Sequence, residues 1–350
     1  MIGVVLLNFG EPDTWSLEEV VPYLERIFVA NASLEPGRPI EEVRRRAREL
    51  AEARAPGLVE EYRKIGGSPL RAQAEGQADA LSAELSARGR EARVLLGMQF
   101  TQPTIAAAVE RARAEGVEKL VGLPVYPLCG HSTSVAALAE LEREIEASGW
   151  SVPLAGIGGW HPHPAYLELR ADAIRRYVEG AGLDLADAGT RLVFSVHGTP
   201  VRYLEAGSRY DKYAEACCRS VAGKLGVDDF LLGYQNHANR GIPWTQPDID
   251  DVIRGAVSEG ASRVVVDPIS FMHEQSETLA ELDVDLREIA EGAGLDFHRV
   301  PIPHADARLS GVLADLVEAT IEEAGSGPLE LFPCRCKPDG DVYCLNSDRL

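Results

Sequence analysis

Basic side chains are in short supply: 35 Lys and Arg stand against 55 Asp and Glu, for a net charge of −20. A surface that grips nucleic acid needs clustered Lys and Arg, so this deficit argues against such a partner and leaves a cationic ligand open. Long apolar runs are lacking too. No stretch approaches the roughly 20 residues of a membrane-crossing helix. The opening Met1–Gly10 is apolar but short, with no basic flank and no small-residue cleavage site, and it reads as a first buried strand rather than a signal peptide. The phosphate-cradling motifs are missing as well, both G-x-x-x-x-G-K-[ST] and a well-placed G-x-G-x-x-G. A nucleotide is therefore not the expected ligand. Cysteine is sparse, with six residues: Cys129, Cys217, Cys218, Cys334, Cys336 and Cys344. Without a secretion signal these are expected as thiols or metal ligands of a cytoplasmic protein, not as disulfides.

What is present is an alternation of short apolar runs with amphipathic stretches. Strands are expected at Gly3–Asn8, Arg93–Met98, Lys119–Val125, Val152–Ile157, Arg191–Val196, Phe230–Gln235, Arg263–Pro268 and Phe297–Val300. Most are continuously apolar, as strands covered on both faces by helices are. Helical patterns lie between them, among them Ile40–Glu52, Leu70–Ala87, Thr104–Glu115, Val135–Ala147 and Asp211–Leu225. This alternation marks an α/β protein with parallel sheets. Two glycines and two prolines in Gly158–Pro164 divide the pattern, which gives an N-terminal lobe over 1–157, a C-terminal lobe over 158–325 and a Cys-containing tail over 326–350. The last helix is expected to start near Asp306, an acceptable N-cap, and to stop before Gly325, Gly327 and Pro328.

Ligands of open α/β sheets sit beyond the carboxyl ends of strands. One such end is Arg191–Pro200, where an apolar run stops at His197 and Gly-Thr-Pro turns the chain away. Imidazole is a metal ligand and a base near neutral pH. A strand-capping His bonded to a nearby carbonyl is the plainer account. The other end follows Val264–Asp267 and leads into Glu277, Glu281 and Asp285, spaced i, i+4 and i+8. On an ideal helix these drift by roughly 40° per step, a slowly winding ladder that suits passage of protons or a hydrated cation. A solvated acidic face near a helix N-terminus would look the same. Tyr234 and Trp244 near a third strand end suit a flat aromatic wall, or plain packing. Val125–Thr133 closes a fourth with Tyr126, Cys129, His131 and Ser132, and a thiol nucleophile at Cys129 would need a base beside it. His161 and His163 read as boundary-loop residues.

Taken together, these segments resemble the ferrochelatase family from about residue 2 to residue 324. The resemblance is carried by Leu6–Pro12, Tyr62–Leu70 with its Gly-Gly-Ser-Pro turn, Phe194–Pro200, the Trp-x-x-Pro of Trp244–Pro247 and Ser276–Asp283, five short motifs in order. It implies two similar Rossmann-like lobes, each a parallel four-stranded sheet flanked by helices, around a porphyrin cleft. It implies a lyase of haem biosynthesis that inserts Fe²⁺ as substrate into protoporphyrin IX or coproporphyrin III. His197 and Glu277 would be catalytic and would face each other across the macrocycle. With Glu281 and Asp285 they would also handle the metal, on a helix locally widened toward π geometry. The porphyrin pocket would include Phe9, Tyr126, His131, Ser132, Tyr234 and Trp244. Peripheral membrane contact, or contact with another haem-pathway enzyme, is left open. The chain departs from the family pattern where Gln275 replaces a common His, with His273 two residues earlier as a partial substitute. Gln99 and Gln102 stand where Arg and often His are common, and Phe9 cannot ligate iron.

Some members of the family carry a [2Fe–2S] cluster on C-terminal cysteines plus one internal cysteine. Cys334, Cys336 and Cys344 supply three of the four thiolates such a cluster needs, and Cys129, Cys217 and Cys218 compete for the fourth place. A zinc site or free thiols are the other readings of the tail. For the whole chain the competing functions are a cobalt or nickel chelatase for another tetrapyrrole and a tetrapyrrole carrier without catalysis.

Overall fold

The structure is a computed structural model that describes residues 1–34, 37–236, 241–321 and 329–345. His237 and the expected helix breakers Gly325, Gly327 and Pro328 lie outside the described residues. Two sheets organise the chain. The first carries β1 (Ile2–Asn8), β2 (Ala92–Met98), β3 (Lys119–Pro124) and β4 (Leu154–Ile157) in the order β2-β1-β3-β4, all parallel. The second carries β5 (Thr190–His197), β6 (Phe230–Gln235), β7 (Arg263–Asp267) and β8 (Asp296–Arg299) in the order β6-β5-β7-β8, also parallel. The central strands are buried on both faces, with Val4, Val5, Leu6 and Leu7 at 0 % exposure. That is why they read as unbroken apolar runs.

The first sheet is wider than expected. Two short tail strands, β9 (Phe332–Pro333) and β10 (Val342–Cys344), extend it beyond β4 to six strands. The cause is the free edge of β4. Gly156 N donates to the Asp341 carbonyl at 2.8 Å and Gly158 N to that of Tyr343 at 2.7 Å, so the tail satisfies backbone groups that would otherwise form an open edge. The tail is thus part of the sheet.

The expected Ile40–Glu52 helix is the first half of a longer one, Ile40–Ile65, that runs through Pro56. A proline inside a helix removes one backbone bond. Here the stripe Ala47, Ala51, Ala55, Leu58, Val59 and Tyr62 stays buried across it, packed against Val20, Tyr23, Leu24 and Ile27 of a helix over Leu17–Ala30. The two lobes share one continuous core that contains Leu6 and Leu123 of the first sheet and Phe194 and Val265 of the second. Leu313 and Leu316 of the helix Ala307–Ile321 complete it. Asp306 Oδ1 accepts from Arg308 N at 3.0 Å just before that helix. His161 and His163 lie in the loop after β4, as expected, and are buried there; the His163 ring accepts from Ala165 N to cap the helix Pro164–Gly180.

A buried ion pair braces the loop after β7. Arg170 and Asp267 are both 0 % exposed, and Arg170 Nη2 donates to both carboxylate oxygens at 2.7 Å. Tyr166 Oη donates to the Ile269 carbonyl at 3.1 Å in the same loop. Removing one partner of such a pair strands the other charge in the interior. Arg170→Met is expected to lose about 3–5 kcal/mol of stability, read as a lower urea midpoint; an unchanged midpoint would contradict this account of the loop.

Candidate active site

The site is built on two strand ends of the second lobe. His197 terminates β5, and its backbone N–H donates to Ser270 Oγ at 2.9 Å. Gly198 follows because nothing larger fits. An added Cβ would lie 1.9 Å from Asn236 Oδ1 and 2.7 Å from the Gln235 carbonyl. The Gly198 carbonyl faces His197 Nδ1 at 2.6 Å. A carbonyl only accepts, so Nδ1 carries a hydrogen and Nε2 is the ring atom turned to the cavity side. Nε2 meets Glu277 Oε1 at 3.0 Å. Two lone pairs would repel there, so one further proton lies between imidazole and carboxylate. Burial pulls the His197 pKa down, but the Glu277 charge and hydrogen bond outweigh it and the net shift is upward.

Glu277 sits in a short helix, Ser276–Leu279, closed by a capping box in which Gln275 is the N-cap. Gln275 Nε2 donates to Glu277 Oε2. From below, Gln235 Nε2 donates to the Glu277 carbonyl at 2.9 Å and to Glu281 Oε2 at 3.1 Å, and Ser195 Oγ donates to Gln235 Oε1 at 2.7 Å. A π-helical turn, Glu281–Leu286, comes next, with Asp285 N bonded to the Ala280 carbonyl at 3.0 Å. Arg299 of β8 holds this segment through Glu274 at 2.7 Å and through both oxygens of Asp283. Burial, with Glu277 and Glu61 nearby, raises the Glu281 pKa to about 8 against the help of His197 and Gln235. Asp285 is exposed, one step further out.

These groups open into a cavity of ≈ 600 Å³ that Phe9, Tyr126, His131, Ser132, Trp244, His197, Glu277 and Glu281 all line. Its size is ordinary for a small-molecule site. Three expectations need correction. His197 and Glu277 touch, so they share one side of the cavity and do not face each other across a slot; a strand end fixes where an imidazole starts, not which way it points. Tyr234 is 4 % exposed within β6 and does not line the cavity. His273 is fully buried and bonded to Gln77 Oε1 at 2.7 Å, so it does not replace the missing His; Gln275 occupies that place. The sequence reading missed the wall formed by the helices Leu17–Ala30 and Ile40–Ile65, which brings Tyr23, Tyr62 and Glu61 to the cavity. Their aromatic and acidic residues had no strand end to draw attention to them.

A second constellation lies beside the cavity. Cys129 Sγ and Cys334 Sγ are 3.7 Å apart, and with Cys336 their sulfurs lie within 4.8 Å of one another. Cys344 joins them. An added Cβ at Gly158 would stand 2.7 Å from Cys334 Sγ, 2.8 Å from Cys344 Sγ and 3.2 Å from Cys129 Sγ, so the glycine leaves room for three of the converging thiols. Hydrogen bonds from Cys129 and Cys334 pull the Cys344 thiol down to about 5, while the same contacts push Cys129 up. Cys217 and Cys218 are buried elsewhere, in the helix Tyr210–Leu225.

A family model for ferrochelatase matches residues 1–321. The ferrochelatases of Synechococcus sp. (strain RCC307) and Synechococcus elongatus are each 35 % identical to this chain, over 327 and 328 residues. The matches cover 91 and 92 % of the chain and 82 and 83 % of the relatives. Among solved structures, SirB from Bacillus subtilis with Fe³⁺ is similar in fold, with a TM-score of 0.51 at 12 % identity over 72 % of this chain and 91 % of that one.

The raised carboxyl of Glu281 has a consequence for stability. The folded state holds its proton up to about pH 8 while the unfolded chain releases it near 4.5, so stability is lost as pH climbs between those values. Glu281→Gln removes this loss. At pH 9 the variant is expected to be more stable than the parent by on the order of 1 kcal/mol, and at pH 5 to be close to it, in paired denaturant titrations. A variant weakened equally at both pH values would refute the burial account.

Proposed function

The chain belongs to the ferrochelatase family and inserts ferrous iron into a porphyrin in haem biosynthesis, and from that premise we propose that His197 and Glu277 carry the chemistry. Metallation releases two pyrrole N–H protons and takes in one dication. In this reading the proton held between His197 Nε2 and Glu277 leaves through Glu281 and Asp285 when Fe²⁺ arrives, because a nearby dication favours ionised carboxylates. The freed Nε2 then accepts one pyrrole proton from the macrocycle in the cavity, and Glu277, once it has passed the ion on, accepts the second; both leave by the same acids. Glu277 and Glu281 offer the oxygen ligands that hand the ion inward. Phe9, Tyr126 and Trp244 wall the flat ring, and His131 and Ser132 line the same space. The observation that carries this is the 3.0 Å contact of His197 with Glu277 at the cavity wall, with Glu281 next along the helix.

The thiol constellation supports a [2Fe–2S] cluster on Cys129, Cys334, Cys336 and Cys344. Two sulfurs 3.7 Å apart suit a shared tetrahedral ion, and four thiolates are the ordinary cluster set. Such a group would pin the tail sheet strands to the Cys129 loop, which leads directly into His131 of the cavity. A reducing, cytoplasmic location fits six cysteines that are all free.

Two experiments test these assignments. Glu277→Gln is expected to abolish anaerobic Fe²⁺ insertion, assayed with protoporphyrin IX and with coproporphyrin III, while porphyrin still quenches protein fluorescence as in the parent; retained turnover would overturn the His–Glu mechanism. The isolated protein should show visible absorbance and about two iron and two sulfide per chain. Cys129→Ser should lose both. A colourless protein with one zinc would replace the cluster by a zinc site.

A further inference from the structure

Glu11 stands apart from the groups used so far. It follows β1 in the first lobe, is 5 % exposed, and meets the second lobe right beside Glu277. Its carboxylate accepts from Ser276 N at 3.2 and 3.3 Å, from the Ser276 hydroxyl, and from Tyr62 Oη at 3.1 Å. Buried carboxylates are costly to keep, and these partners are all neutral donors. Burial raises its pKa, the hydroxyls of Ser276 and Ser68 oppose that, and the charge of Glu277 adds to it. The reward for this cost is geometric. Ser276 opens the short helix Ser276–Leu279 and its Cα is about 3.8 Å from that of Glu277. Two bonds to one residue fix both its backbone and its side chain.

We propose that Glu11 is a positioning residue for iron insertion: reaching across from the first lobe, it clamps Ser276 and so holds Glu277 against His197. Glu277 is then fixed from three directions. His197 meets Oε1, Gln275 meets Oε2, and Glu11 secures the backbone one residue before it. Tyr62, from the helix Ile40–Ile65, holds Glu11 in turn and ties the cavity's outer wall to the same point. The inference rests on the reading that Glu277 takes part in the reaction.

The test is a cycle of Glu11→Ala, Ser276→Ala and the double variant, with kcat, porphyrin affinity by fluorescence quenching and Tm measured on each. Misplacing Glu277 by a fraction of an ångström should lower kcat by about ten- to a hundred-fold in Glu11→Ala, with porphyrin affinity within about two-fold of the parent. Ser276→Ala should lower kcat in the same direction, and the double variant should be no slower than Glu11→Ala, because both remove one clamp. Glu11→Gln, whose carbonyl still accepts from Ser276 N, should recover most of the rate. Should Glu11→Ala fail to fold, Ser276→Ala carries the test: a lowered kcat at parental porphyrin affinity supports the clamp, and a parental kcat overturns it. A lowered Tm with parental kcat, or losses that multiply in the double variant, would show a merely structural role. Failure of the underlying reading is a separate result: turnover would then survive Glu277→Gln.

Discussion

One proton held between His197 Nε2 and Glu277 Oε1, at 3.0 Å, governs the rest of the site. It follows from a neighbouring bond: the Gly198 carbonyl at 2.6 Å takes the Nδ1 hydrogen, and only a glycine allows the chain to pass Gln235 so closely. With that proton in place the imidazolium and Glu277 cancel, and Glu281 keeps its own proton up to about pH 8. His197, Glu277 and Glu281 taken together are therefore near neutral, which is how these three titratable groups coexist in a poorly hydrated space.

Holding this arrangement draws on both lobes. Gln235 of β6 reads the Glu277 carbonyl and the Glu281 carboxylate together, while Arg299 of β8 secures Glu274 and Asp283 on either side of them. Arg170 and Asp267 fix the start of the loop that delivers the helix. The π-helical turn over Glu281–Leu286 adds a residue to the ring closed by each backbone bond and so changes the direction in which successive acids point. In the proposed mechanism the path from Glu281 to the exposed Asp285 would follow this turn.

The parts of the molecule legible in the sequence were those where burial writes itself into composition. The eight parallel strands are runs such as Val4–Leu7 and Val264–Val266, apolar because helices cover both faces, and they ended within a residue or two of the expected positions. The turn after Ile65 was visible in Gly66, Gly67 and Pro69 themselves, and the π-like widening through the family resemblance. Less was legible where the outcome depends on direction or on distant partners. The contact of His197 with Glu277 depends on side-chain aim. The continuation of the helix past Pro56 depends on the apolar stripe that packs against Leu24 and Ile27. The docking of β10 on β4 depends on an open edge nearly two hundred residues earlier in the chain. Cys129 could be chosen among three internal cysteines only once Gly158 was seen to leave space for its sulfur beside those of the tail.

The acidic character of the chain takes on meaning at this site. Glu61, Glu277, Glu281 and Asp285 feel one another's charge along one side of the cavity and at its exit. Such a cluster of carboxylates favours a dication, and most strongly where the surrounding dielectric is low. Stability opposes the arrangement, since each further ionisation among these acids is paid for in repulsion. Protonation of Glu281 and the bond between His197 and Glu277 relieve that repulsion in the resting protein. In the proposed mechanism an arriving Fe²⁺ provides the same relief by replacing protons, so the groups that make the empty site tolerable are the ones the metal displaces. A polar isostere at Glu281 would therefore ease folding while weakening the pull on the ion, a trade in which stability and function run in opposite directions.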